Sequence, residues 1–342
     1  LNRIDNYSPR WILRQLGLDT GTLQELDQAA WACLTCNDCG FHCPRGIDII
    51  DVIRAVRHCN VEGGQIPERF ELPLLSLKNN GNPWSGLPEK RTAWAEDLMI
   101  PDYAPESEYC LFTCCTTAYD AVFSDRSRHT ARALPQLLTR AGTGFGTLGL
   151  EEVCCGNPAH NLGDQNLSGE LRDRNTRLFL NRQVKRLVTT SPHCLDFFRK
   201  HYPELDGKVT CEHYSELLDR LMTTGHLKPA RQIDRRVTFH DPCYLGRHNN
   251  IFDAPRRVLT GIPGLELVEM ADSRESSLCC GGGGGGAWDT RPATQGTGAM
   301  RIEQALDVGA EVIVTACPFC ARMLDDAVKS LGEDHRIVVQ DL

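Results

Sequence analysis

The run Val312-Ile313-Val314-Thr315-Ala316-Cys317-Pro318-Phe319-Cys320 is short, β-rich, and stops at two cysteines. It reads as a strand, with Cys317-Pro318 as the exit from it. The same pattern stands earlier in the chain, where Leu187 to Thr190 ends in Ser191-Pro192-His193-Cys194. Working outward, Cys154-Cys155-Gly156 matches Cys279-Cys280-Gly281. Likewise the β-rich runs Tyr109 to Thr113 and Val237 to His240 end near Cys115 and at Cys243. The offsets are 128 (115 to 243), 125 (154 to 279), 125 (155 to 280) and 126 (194 to 320). Offsets this uniform predict an internal duplication with a period of about 126 residues. Helical stretches such as Thr130 to Ala141 and Arg301 to Val308 alternate with the strands. The fold class expected is therefore α/β with mainly parallel sheets, one repeat over 108–225 and the next over 226–342. Cysteines then sit just past the carboxyl ends of strands, where open α/β sheets place ligands.

A chain of 342 residues suits two domains or one doubled domain. Before the repeats, residues 1–60 read as a small helical domain around a cysteine cluster. Ser8 and Pro9 start a helix, Trp11, Ile12 and Leu16 give it an apolar side, and Gly17 ends it. After Pro44, the set Ile49, Val52, Ile53 and Val56 recurs at helical spacing. Residues 61–107, rich in Gly, Pro and Asn, read as a linker wrapping the surface. Lys and Arg number 37 against 45 Asp and Glu, a net charge of −8 with no basic block, which argues against nucleic acid as a partner. No apolar run has the length of a membrane-spanning helix. The first residue is Leu1 instead of Met, which points to a segment upstream.

The 17 cysteines are clustered in a chain too long for a disulfide scaffold, so they read as the reduced thiols of a cytoplasmic metalloprotein. Cys33, Cys36, Cys39 and Cys43-Pro44 form CxxCxxCxxxCP. This spacing places thiolates around three corners of a [4Fe–4S] cube, with structural zinc as the lesser reading. The cysteine before proline usually ligates a second cluster, so one or two ferredoxin-type clusters are expected. Their missing ligands would come from an upstream motif copy or from a lone cysteine such as Cys59, whose plainer reading is a small buried hydrophobe. In the second repeat Cys243, Cys279, Cys280, Cys317 and Cys320 are more thiolates than a tetrahedral zinc or a single cube accepts, implying an iron–sulfur assembly of unusual shape. The glycines from Gly281 to Gly286, including Gly281, Gly282 and Gly283, would let backbone N–H groups approach sulfide and would leave an open face for a substrate.

Four segments together, HDPCYLGRH (His240 to His248), APRRVLTGIPGLELVEM (Ala254 to Met270), SLCCGGGGGG (Ser277 to Gly286) and TACPFC (Thr315 to Cys320), resemble the cysteine-rich CCG domain of the heterodisulfide reductase catalytic subunit. The N-terminal motif is similar to that family's helical ferredoxin domain, so the resemblance covers nearly the whole chain. It implies a noncubane [4Fe–4S] cluster on Cys243, Cys279, Cys280, Cys317 and Cys320, reducing a disulfide in one-electron steps. It also implies redox partners, whether a flavoprotein, a ferredoxin-like subunit or a membrane cytochrome that would hold the chain peripherally at the inner membrane. The same subunit type could instead relay electrons between a flavoprotein and a quinone-linked or acyl-CoA-reducing partner. The first repeat departs from the pattern. Cys115, Cys154, Cys155 and Cys194 match, but Ser191 replaces the fifth cysteine, leaving an ordinary cube, a zinc ion or no metal as the alternatives. Cys110 and Cys114 are spare and read as core residues.

His240 and Asp241 precede a ligand cysteine, where they would donate a proton, tune the cluster or simply brace the turn at Pro242. His193 and His213 read as structural histidines. Arg247, His248, Arg256 and Arg257 would either attract an anionic substrate or form a solvated face. Trp288 would wall a cavity or pack in the core.

Overall fold

The computed structural model describes residues 8–18, 23–120, 125–290 and 293–342. Two parallel four-stranded sheets dominate it. The first is built from β1 (Tyr109–Phe112), β2 (Phe145–Gly146), β3 (Arg186–Thr189) and β4 (Thr210–His213), in the order β2-β1-β3-β4. The second repeats that plan with β5 (Arg235–His240), β6 (Leu265–Val268), β7 (Val312–Thr315) and β8 (Val338–Asp341), in the order β6-β5-β7-β8. The duplication predicted from the cysteines is thus a duplication of topology. The central strands β1 and β7 are buried along their whole length, as expected of parallel strands covered by helices on both faces. The outer strands escaped the sequence reading for physical reasons: β2 has two residues, and β4 and β8 carry polar, partly exposed residues such as Glu212 and Gln340.

Register makes the two sheets directly comparable. Phe112 pairs with Thr189 and His240 with Thr315, so Phe112 and His240 occupy the same place in their repeats. Cys115 and Cys243 each follow three residues later. Past β3 and β7, Pro192 and Pro318 open the helices Pro192–His201 and Pro318–Leu331, where a missing N–H costs nothing. Cys194 and Cys320 fall in the first turns of these helices.

The N-terminal region is helical, with helices at Pro9–Leu18, Leu23–Ala32, Asp38–Phe41 and Ile49–Glu62. Ser8 accepts from the Trp11 amide at 3.2 Å and Asp48 caps Ile50 and Asp51, so both helix starts lie where capping chemistry puts them. The first helix runs through Gly17, and its buried anchor is Ile12, whereas Leu16 is exposed. The stretch 61–107 is only partly a surface strap. It contains a helix, Glu68–Asn80, that buries Phe70, Leu74 and Leu77 against the first repeat. The spacing i, i+4, i+7 was present, but Pro73 within it and the surrounding Gly and Pro residues hid it. No helix among the described residues is long and apolar enough to cross a membrane.

One side chain ties these parts together. Arg57, on Ile49–Glu62, is fully buried. Its Nε donates to the Ala30 carbonyl at 3.0 Å, and Nη2 donates to Ala30 and Cys33, both at 2.7 Å. Nη1 donates to Asn161 of the first repeat at 2.6 Å and to Gly284 of the second at 2.8 Å. Burial lowers its pKa to about 10, so it remains a cation at neutral pH. Arg57→Met should leave these carbonyls buried without donors and cost about 3–5 kcal/mol. Chemical denaturation of the anaerobically purified chain checks this, and an unchanged midpoint would refute the role.

Candidate metal centre

In the second repeat the strand ends and the glycine run bring five thiols into one buried cluster. Cys279 is within hydrogen-bonding reach of Cys243 and Cys280, and Cys280 in turn reaches Cys320, which reaches Cys317. The Cys279 and Cys320 thiols and His240 all favour the anion of Cys280, which is held well below an ordinary thiol pKa. A ring nitrogen of His240 and the sulfurs of Cys280 and Cys320 lie within 4.8 Å of one another. Arg301 Nε donates to His240 Nδ1 at 3.2 Å, which leaves the ring proton on Nε2, facing Cys280. His240 thereby acts on the thiolate. Asp241 is the residue that braces the turn, through a paired contact with Arg256 at 2.7 and 3.0 Å and a bond from the Arg274 amide at 2.8 Å.

The glycine run does two jobs. Gly281 N–H donates to Cys279 Sγ at 3.4 Å and Gly282 N–H to Cys280 Sγ at 3.5 Å, so the close approach of amides to sulfur occurs at these two positions. Gly281 and its counterpart Gly156 share a φ of +98°, a turn that other residues rarely adopt. Gly283, by contrast, touches no sulfur. A Cβ there would meet the Leu34 carbonyl at 2.4 Å, and one at Gly284 the Cys33 carbonyl at 2.3 Å. The expected open face is therefore occupied at its centre: Gly283 and Gly284 are bare so that the N-terminal cysteine loop can lie on them. What remains open is a cavity of about 170 Å³ at the ends of the run. It reaches Cys280 and is lined by Leu34, Gly281, Gly286, Thr297, Arg322, Met323, Asp326 and other residues.

The docked loop carries Cys33, Cys36 and Cys39 on one side. Cys36 is within hydrogen-bonding reach of Cys279, and that contact, with nearby Arg247, lowers its pKa to about 6. Cys39 is raised to about 11, chiefly by burial and then by the neighbouring Cys36. Cys43 stands apart, its thiolate favoured by the amides of Ile47, Arg45 and Gly46. Cys59 is exposed on its helix, which corrects its reading as a buried hydrophobe. Thr35 and Asn37 between the cysteines have φ of 50° and 58°, a conformation costing a β-branched residue about 1–3 kcal/mol. The second repeat holds Thr35 there: its hydroxyl shares a 2.9 Å hydrogen bond with Tyr244, and its carbonyl accepts from His248 Nε2 at 2.9 Å.

Several basic residues read as substrate attractors or solvated charges are instead structural. Arg247 is buried and donates to the carbonyls of Cys36, Glu275 and Ser277. His248 stacks on Tyr244 and holds Thr35, while Arg256 is buried between Asp241 and Glu269. Arg257 is exposed and paired with Asp219. Trp288 packs against Trp84 and Phe319. His213 caps the helix Tyr214–Thr223, and His193 stacks on Tyr244 at 3.9 Å, between the two repeats. Sequence reasoning assigned no role to Arg57, which carries no local motif, or to Tyr244, whose contacts with Thr35, His193 and His248 are invisible in the motif that contains it.

In the first repeat Cys115 reaches Cys154, Cys154 reaches Cys155, and Cys155 reaches Cys194. Phe112 stands where the second repeat has His240, so that position offers these thiols no imidazole. A buried guanidinium does so instead: Arg91 Nη1 donates to Cys115 Sγ at 3.4 Å, while Nη2 donates to the Thr113 carbonyl at 2.8 Å and to Glu152 at 3.0 Å.

The donor sets fit iron–sulfur chemistry. Thiols converge in dry pockets where thiolate charge needs a cation, and amide and imidazole N–H groups are aimed at sulfur. Comparison with known proteins agrees. A family model described as a cysteine-rich domain matches residues 109–199 and 237–325. An EtfAB:quinone oxidoreductase of Syntrophomonas wolfei subsp. wolfei is 33% identical over 330 residues, covering 92% of this chain and 46% of that protein. A Bacillus subtilis protein named "Probable iron-sulfur-binding oxidoreductase" is 34% identical over 326 residues, with 92% and 46% covered. A dihydromethanophenazine:CoB–CoM heterodisulfide reductase polypeptide of Methanosarcina barkeri is 32% identical over 329 residues, covering 94% of this chain and 78% of that protein. The chain spans about half the length of the first two relatives.

Loop docking is testable without any metal. Gly284→Ala places a methyl group against the Cys33 carbonyl at a φ of +60° and should destabilise the chain by about 2 kcal/mol or more. Gly17→Ala, with nothing within 4 Å, should be neutral or stabilising. Thermal unfolding of the two variants side by side checks the contrast; equal shifts would remove the docking argument.

Proposed function

The chain belongs to the cysteine-rich domain family of iron–sulfur oxidoreductases, and from that premise we propose that it moves electrons from an N-terminal ferredoxin-type cluster to a noncubane [4Fe–4S] cluster in the second repeat, where a disulfide-type substrate is reduced. The observation that carries this reading is the contact of Cys36 with Cys279, which leaves no protein layer between the two thiol sets. When bound, the clusters supply the one-electron transfers, and two of these with two protons convert a disulfide to two thiols.

The chain's own residues do the rest. Cys33, Cys36 and Cys39 would hold the first cluster, and Cys243, Cys279, Cys280, Cys317 and Cys320 the second. Gly281 and Gly282 donate to thiolate sulfur there, and the His240 ring lies within reach of Cys280; all three would stabilise added negative charge and so raise the potential. Arg247 places a buried cation between the two sets. In the cavity beside Cys280, Leu34 and Met323 offer apolar walls, and Arg322, fixed by Asp120 at 3.1 Å and by the Trp84 ring, offers a cation for an acidic thiol substrate. Asp326, whose pKa burial raises, lines the same cavity as a proton holder for a departing thiolate.

Two measurements test the proposal. His240→Phe, which copies the first repeat, should lower the midpoint potential of the second-repeat cluster by on the order of 50 mV, the value of one net hydrogen bond; redox titration followed by electron paramagnetic resonance reads it. Cys280→Ser should abolish turnover of a heterodisulfide of two small acidic thiols, supplied to the chain reduced at low potential, while the N-terminal cluster still reduces. No disulfide turnover by the native chain, with fast exchange to a flavoprotein, would replace disulfide reduction by the relay role, a reading that fits the quinone oxidoreductase name of one relative.

A further inference from the structure

The first repeat lacks its fifth motif cysteine, yet it gathers five thiols. Cys114, one residue before the register match of Cys243, is buried, and its thiol is within hydrogen-bonding reach of Cys194 and of Ser191. In the second repeat the corresponding contact is made by Cys317, which reaches Cys320. The order of contacts is therefore the same in the two pockets: Cys115, Cys154, Cys155, Cys194 and Cys114 in one, and Cys243, Cys279, Cys280, Cys320 and Cys317 in the other. Only the strand that supplies the last thiol has changed, from the exit of β7 to the exit of β1. Cys114 is held in place by its own amide, which donates to Thr190 Oγ1 at 3.3 Å. The Ser191 hydroxyl is fully buried, has no hydrogen-bond partner among the described residues, and lies beside this thiol.

We infer that Cys114 takes over the ligand place vacated at Ser191, so that the first repeat holds its own iron–sulfur cluster on Cys114, Cys115, Cys154, Cys155 and Cys194. The inference rests on the reading of the cysteine sets as iron–sulfur sites and adds to it a cluster and a ligand. Five converging thiols exceed the four that a tetrahedral zinc takes, so zinc would strand one of them. Arg91, donating to Cys115, brings a cationic donor to sulfur here, where the second repeat instead brings the His240 ring within reach of Cys280. The two pockets thus differ in the donor to sulfur and in the origin of one ligand.

The test is metal analysis of the whole chain, purified without oxygen, with iron, acid-labile sulfide and zinc measured per chain and the reduced protein examined by electron paramagnetic resonance. Cys114→Ser should lose one cluster's share of iron and sulfide, the same share that Cys194→Ser loses, and should keep the signals that Cys280→Ser removes. Adding Ser191→Cys to Cys114→Ser should return the lost iron and sulfide, which a merely packing role for Cys114 would not allow. The inference is overturned if Cys114→Ser keeps the full complement, if its loss is not restored by Ser191→Cys, or if Cys194→Ser releases zinc and no iron. A native chain without iron would instead remove the reading on which the inference stands.

Discussion

A single buried guanidinium sets the geometry on which both thiol sets depend. Arg57 donates to carbonyls of the N-terminal cysteine loop, the first repeat and the glycine run of the second, so three segments far apart in sequence meet at one cation. Backbone carbonyls taken out of water need donors, and a planar fork with five N–H groups serves four of them here, one more than the three donors of a lysine could. The cysteine loop itself is strained at Thr35 and Asn37, and Tyr244 and His248 oppose its relaxation. The loop is thus shaped less by its own sequence than by the surface on which it lies.

That surface explains the glycine run. Six glycines beside a cysteine pair suggest room for a substrate, but their absent side chains are used twice for close approach, once of amides to sulfur and once of the loop carbonyls to Gly283 and Gly284. The result places Cys36 against Cys279 and restricts access to the cavity at the ends of the run. In the proposed function, electron entry and substrate entry would be separated by the same short segment.

The duplicated fold shows how two like pockets acquire different surroundings. Register fixes Phe112 and His240 at one position, and the apolar ring deprives the first pocket of its imidazole. Arg91, from a segment outside the repeat, compensates with a donor of fixed charge. A neutral ring and a donor of fixed charge will respond differently to the charge on sulfur.

The central strands, the duplication and the two cysteine motifs were legible because parallel strands buried on both faces are continuous apolar runs and because thiol spacing is local. The helix Glu68–Asn80 was hidden by Pro73 and its glycine-rich flanks, and the outer strands by their shortness and polarity. Arg247, His248 and Arg256 looked like surface charges because a sequence shows charge without showing burial. From the residues alone came the ligand types, their spacing and the doubled α/β plan. Only the tertiary structure could decide which carbonyls face Arg57, that Cys36 meets Cys279, and that Cys114 stands beside Ser191. Each of these is a contact between segments whose separation along the chain carries no period and no motif.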